Sequence, residues 1–115
     1  MIFVLNSHSI NLLKREVIND IVAAAQTEPM VRKIIIFGSS TRDDCNEDSD
    51  IDICIDWNQD CYDQEGVLKP FTIGMRRKIS FLTKGRADVV NYDYLHGTYI
   101  EDAVKNGVVV YEQDV

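Results

Sequence analysis

A strict alternation of side-chain types over residues 50–57 constrains the fold more than any other feature of the sequence. Isoleucines occupy positions 51, 53 and 55, and the positions around them hold Asp50, Asp52, Cys54 and Asp56. Successive side chains of a β-strand point to opposite faces, so this pattern predicts a strand with one face on the core. The carboxylates then share the other face.

The remaining apolar patterns predict a small α/β protein of the α+β type. Helical spacing indicates helices over about residues 10–25, 71–82 and 99–104, the first capped by Ser7 or Ser9 and the second ended by Gly85. Apolar runs indicate strands at 33–37, 87–92 and 108–111, with a short helical turn at 39–43. We therefore expect a small mixed sheet with helices packed on one face and the other face open for a site. The 115 residues, 13.1 kDa, make one domain, 1–115.

Composition and charge exclude several classes of protein. The net charge of −7 disfavours non-specific nucleic-acid binding, which needs a basic surface, so we expect no direct nucleic-acid partner. No uncharged apolar stretch approaches the roughly 18 residues that span a bilayer, which predicts no membrane segment. The three cysteines have no paired spacing, which argues against a disulfide framework or a zinc site and favours the cytoplasm.

The charges are unevenly distributed along the chain. Ten acidic and no basic residues lie in 43–65, whereas 69–86 contains six basic and no acidic residues. Such a pair of segments suits a site that holds cations together with a polyphosphate. Two solvated faces of opposite sign explain the same pattern.

A set of residues suited to phosphate and metal chemistry surrounds the alternating strand. Gly38 follows a predicted strand and allows a ligand close to the backbone, and Ser39 opens a turn whose N–H groups and hydroxyl can hold phosphate oxygens. Asp50 and Asp52 project from the same face, where hard oxygen ligands suit Mg²⁺. Asp88, at the start of the strand 87–92, would complete a two-metal site if that strand pairs beside 50–57. Asp93 lies close enough in sequence to compete for that role.

These residues form the pattern Gly-Ser-x10-Asp-x-Asp, with Arg42 three places after Ser39 and a later Ala-Asp-Val-Val at 87–90. The pattern resembles the minimal nucleotidyltransferase family of the DNA polymerase beta-like superfamily. The resemblance extends from about residue 33 to residue 112 and includes the closing segment 100–112. It implies the polymerase beta-like nucleotidyltransferase fold.

The resemblance also implies roles for single residues. Gly38 and Ser39 would hold the nucleotide phosphates, Asp50 and Asp52 would bind two Mg²⁺ ions, and Asp88 would bind the ion that activates the acceptor hydroxyl. Arg42 would contact phosphate or fix the acidic loop, residues 43–49, that precedes Asp50. Position 43 holds Asp where the family commonly has glycine, which predicts strain if φ is positive there.

Small members of the family act as antitoxins beside a HEPN-domain ribonuclease toxin. The resemblance therefore implies an enzyme that transfers AMP from ATP to a tyrosine of such a toxin and forms a hetero-oligomer with it. One alternative is a non-catalytic antitoxin that inhibits the toxin by stoichiometric binding. Transfer to a small molecule is a further alternative, disfavoured because the length leaves no second domain to enclose the acceptor.

Overall fold

The computed structural model describes residues 4–113, without the side chain of Phe71, and has a four-stranded sheet with three α-helices. The strands are β1 (Val31–Phe37), β2 (Ile51–Trp57), β3 (Ala87–Asn91) and β4 (Val108–Glu112). The helices are α1 (Leu12–Gln26), α2 (Ile73–Leu82) and α3 (Ile100–Lys105). The strand order is β3-β2-β1-β4, with β2 and β3 parallel and the other pairs antiparallel. The small mixed sheet and the α+β class are confirmed.

The isoleucine face of the sheet forms the main core. Ile34 and Ile36 of β1 lie beside Ile55 and Ile53 of β2, and all four are fully buried. They pack against the buried apolar side of α1 and α2. Burial of each such side chain stabilises the fold by about 1.5–3 kcal/mol, so the register of β1 against β2 is firmly fixed.

The N-terminus of α1 differs from the expectation. Ser7 and Ser9 belong to a separate 3-10 turn, Ser7–Ser9, and Asn11 caps the helix instead. The Asn11 side-chain oxygen accepts a hydrogen bond from the Leu13 N–H at 3.0 Å. An N-cap side chain has to stand next to the first helical turn, and α1 begins two residues later than the apolar spacing indicates.

The expectation that all helices share one face needs a correction, because α3 packs on the face opposite to α1 and α2. A second buried cluster on that face contains Ile35, Phe37, Cys54, Leu95 and Val104. The physical reason is that Ile35 and Cys54 are apolar, so this face also needs a cover. The short α3 supplies it with Ile100 and Val104, four residues apart.

No helix within residues 4–113 has both the length and the apolar character needed to cross a lipid bilayer.

Candidate active site

The chain bends sharply at Gly38, immediately after β1. Gly38 has φ +74°, a conformation that residues with a Cβ adopt only at a cost, and it opens the 3-10 turn Gly38–Thr41. A Cβ at this position would overlap Oδ2 of Asp52 and stand 3.2 Å from its Cγ. The absence of a side chain therefore lets the bend lie directly against the Asp52 carboxylate.

Asp52 and Asp88 lie side by side on neighbouring strands. The parallel register of β2 and β3 pairs Asp52 with Asp88 directly. Strands in a sheet are about 4.8 Å apart, and paired residues point to the same face. The structure therefore brings these two carboxylates together on the face that also carries α3, while Asp93 lies beyond the end of β3 in the turn Tyr92–Tyr94.

Asp50 lies one residue before β2 and is exposed, rather than within the strand as the alternation indicates. Its charge nevertheless acts on Asp52. Burial raises the pKa of Asp52, and the charges of Asp88 and Asp50 raise it further, whereas Arg42 opposes the shift. Crowding of negative charge at a half-buried carboxyl favours either a proton or a cation there.

The donor set fits a divalent ion that arrives together with phosphate. Within residues 4–113, no three carboxylate, histidine or cysteine side chains form a preformed metal cluster. In kinases, ATPases and polymerases, Mg²⁺ is usually held by one or two carboxylates together with substrate phosphates. The Asp52–Asp88 pair beside the Gly38 bend has the carboxylate donors that such a site requires.

A groove of about 490 Å³ extends from the carboxylates to α3. Gly38, Asp52 and Asp88 line one part of it, and an apolar wall that includes Val90 and Ile100 lines another. Tyr99, whose residue is 91% exposed, stands at this wall. Small-molecule sites combine such apolar walls with a few polar groups in this range of volume. The contribution of α3 and Tyr99 is not evident from the sequence.

Two other predicted residues, Ser39 and Arg42, do not line this groove. Ser39 directly follows Gly38 and is half-buried. Arg42 is exposed, and its Nε lies 2.9 Å from Oδ1 of Asp44, so its side chain contacts the acidic loop. The Arg42 guanidinium in turn lowers the pKa of Asp44. Within the described chain, Asn6 and Lys84 are the non-glycine residues with positive φ, so Asp43 introduces no such strain.

Sequence reasoning missed Lys14 of α1 and the N-cap residue Asn11, which both bind the backbone of the segment 40–49. Lys14 is 7% exposed, and its ammonium donates to the backbone oxygens of Ser49 and Glu47. Asn11 donates to the backbone oxygens of Ser40 and Arg42. One signal was available, because Lys14 falls at i+4 from Ile10 and i−4 from Ile18 on the apolar stripe.

The comparisons with known proteins identify the family of this chain. The family model described as polymerase beta, nucleotidyltransferase matches residues 19–115. Two proteins of Methanocaldococcus jannaschii, each named "Putative protein adenylyltransferase", are 30% identical over 79 residues, which covers 69% of this chain and 74% of each relative.

The fold and the match define the class: this chain is a nucleotidyltransferase with the polymerase beta-like fold. Within that class it belongs to the minimal nucleotidyltransferase family.

Proposed function

We propose that this protein is a Mg²⁺-dependent adenylyltransferase that moves AMP from ATP to a hydroxyl of another protein. The observation that supports this most is the Asp52–Asp88 pair, which lines a groove together with Gly38. The names of the two archaeal relatives support a protein as the acceptor.

The residues of the chain bind and orient the reactants. The backbone of Gly38 and Ser39 and the Ser39 hydroxyl bind phosphate oxygens beside the Asp52 carboxylate. Arg42 becomes a further phosphate contact when it leaves Asp44. Asp50 and Asp52 would hold two Mg²⁺ ions, and Asp88 would bind one of them. The two ions would neutralise the phosphates, and the ion at Asp88 would lower the pKa of the acceptor hydroxyl.

The proposed transfer exchanges one phosphorus–oxygen bond for another. A bond forms between the acceptor oxygen and the α-phosphorus, the bond from that phosphorus to the β-phosphate oxygen breaks, and pyrophosphate and the hydroxyl proton are released. Catalysis therefore rests on positioning and on compensation of charge.

The proposed acceptor is a tyrosine of a HEPN-family ribonuclease toxin, which makes this protein the antitoxin and predicts a hetero-oligomer. The groove is open beside the exposed Tyr99, so a partner can present a side chain to it. The chain carries seven net negative charges, which supports a protein rather than a nucleic-acid partner. Three buried free thiols fit a reducing cytoplasm.

Transfer of label tests the proposal. The protein is incubated with Mg²⁺, the product of the neighbouring gene and ATP labelled either at the α- or at the γ-phosphate. We expect the partner to gain label from α-labelled ATP alone, with a mass increase of one or more AMP groups. Asp50→Asn/Asp52→Asn should abolish the labelling, whereas the matched control Asp20→Asn/Asp60→Asn, at two exposed carboxylates elsewhere, should retain it.

Equal labelling by the Asp50→Asn/Asp52→Asn variant would contradict the mechanism. Neutralisation of a toxin by that variant, with no mass added to the partner, would instead support the non-catalytic antitoxin.

A further inference from the structure

Lys14 is a buried cation that the proposed chemistry does not use. It lies on the apolar side of α1 with 7% of its surface exposed. Its Nζ donates hydrogen bonds to the backbone oxygen of Ser49 at 2.7 Å and to that of Glu47 at 3.2 Å. Lysine is rarely buried unless its charge has partners, so this placement calls for a specific role.

The same end of α1 also holds the other end of the loop. The Asn11 N–H donates to the backbone oxygen of Ser40 at 2.8 Å. Its side-chain Nδ2 donates to the backbone oxygen of Arg42, also at 2.8 Å. Hydrogen bonds from the N-terminal end of α1 therefore hold both ends of the segment 40–49, which connects the Gly38 bend to Asp50.

The backbone of this segment depends on contacts from outside it, because the segment is acidic and contains no regular strand or α-helix. Asp43, Asp44, Glu47 and Asp48 lie within it, and the binding site adds the charge of Asp50 and Asp52. Repulsion among these groups favours an expanded loop. An outer contact comes from Arg86, whose Nη1 donates to the Asp48 backbone oxygen at 3.1 Å, but that contact is exposed.

We infer that Lys14 is a positioning residue of the nucleotidyl-transfer site. Its ammonium fixes the backbone at residues 47–49 and thereby places Asp50 beside Asp52 for the Mg²⁺–nucleotide complex. This inference rests on the proposed function for its ligand. Residues that orient metal ligands from behind contribute about 10–100-fold to metal affinity or activity.

Arg15 provides a matched control on the same helix. Its Nε donates to the backbone oxygen of Ile10 at 2.8 Å and its Nη2 to that of His8 at 3.2 Å. Both residues are therefore cations of α1 that bind two backbone oxygens. Only Lys14 binds the loop that precedes Asp50.

The test compares Lys14→Met, Lys14→Arg and Arg15→Met in the full chain. Calorimetry measures binding of Mg²⁺ with α,β-methylene-ATP, and amide hydrogen exchange measures opening of residues 43–50. We expect Lys14→Met, which fills the same space without a donor, to weaken binding about 10–100-fold and to speed exchange in that segment. Lys14→Arg, which keeps the charge and the donors, should lie closer to the wild type, and Arg15→Met should bind within about twofold of it.

Wild-type affinity and wild-type exchange in Lys14→Met would overturn the inference. So would an equal loss of affinity in Arg15→Met, because the effect would then be general destabilisation. If the wild type itself binds no Mg²⁺–nucleotide, the proposed function fails. Unchanged hydrogen exchange over residues 43–50 in Lys14→Met would separately refute the claim that Lys14 fixes the backbone of this segment.

Discussion

Replacement of Gly38 by alanine tests the contact between the bend and the Asp52 carboxylate. The added Cβ would overlap Oδ2 of Asp52 and stand 3.2 Å from its Cγ, and φ is +74°. Carbon atoms in ordinary contact are about 3.5–4.0 Å apart, so the Asp52 side chain or the bend has to move. Two separate costs follow, one in the backbone and one in the position of the carboxylate.

The two costs have different magnitudes and readouts. The left-handed conformation costs a residue with a Cβ about 1–2 kcal/mol in the free energy of unfolding. Displacement of a reacting or ligating group by about 1 Å can reduce activity about 100-fold. We therefore expect Gly38→Ala to lose a modest amount of stability and most of its Mg²⁺–nucleotide binding.

Gly66→Ala separates the two costs. Gly66 has φ +79°, and a Cβ there would meet nothing within 4 Å. Urea unfolding should show a similar backbone penalty in both variants, with the clash adding to that of Gly38→Ala, and calorimetry should show lost nucleotide binding in Gly38→Ala alone. Equal nucleotide binding by the two variants would refute the argument that Gly38 is required by the Asp52 carboxylate.

Three further changes have defined outcomes. The folded-state pKa of Asp52 is raised above 3.8, so its stabilising contribution is present at lower pH and is lost as the pH rises through the folded pKa. Asp52→Asn should therefore raise the melting temperature at pH 7, and less so near pH 4, while it abolishes Mg²⁺–nucleotide binding. A lower melting temperature of this variant at pH 7 would contradict the argument. Trp57→Phe removes the indole N–H that donates to Oδ1 of Asn91, a 2.9 Å hydrogen bond at the end of β3. The variant should lose about 2–4 kcal/mol of the free energy of unfolding measured in urea. A loss below about 0.5 kcal/mol would argue against a stabilising role of this hydrogen bond. Val104→Ala should cost about 2 kcal/mol and loosen α3, which exchange of the α3 amide hydrogens would detect; unchanged exchange would show that α3 does not depend on this contact.

The strands that carry Asp52 and Asp88 can be predicted from the sequence because they depend on local patterns. The alternation over 50–57 fixes which side chains of β2 face the core, and Ala-Asp-Val-Val places Asp88 on a strand. The local pattern leaves open both the pairing of β2 with β3 and the register that sets Asp52 opposite Asp88.

The contacts of the loop and of α3 depend on tertiary structure and are harder to predict. The apolar spacing of α3 shows that it packs but not on which face, and the apolar Ile35 and Cys54 decide that. Lys14 interrupts an apolar stripe, yet its partners are backbone oxygens more than thirty residues away. Backbone acceptors leave no trace in the sequence.

The location of a bound metal tests the central claim most directly. Crystals grown with Mn²⁺ and α,β-methylene-ATP can be measured at the manganese absorption edge, which locates the ion without reference to a trial site. We expect anomalous density at the carboxylates of Asp52 and Asp88, with the phosphates against Gly38 and Ser39. Ordered nucleotide and manganese elsewhere on the protein, with Asp52 and Asp88 free of both, would contradict the claim.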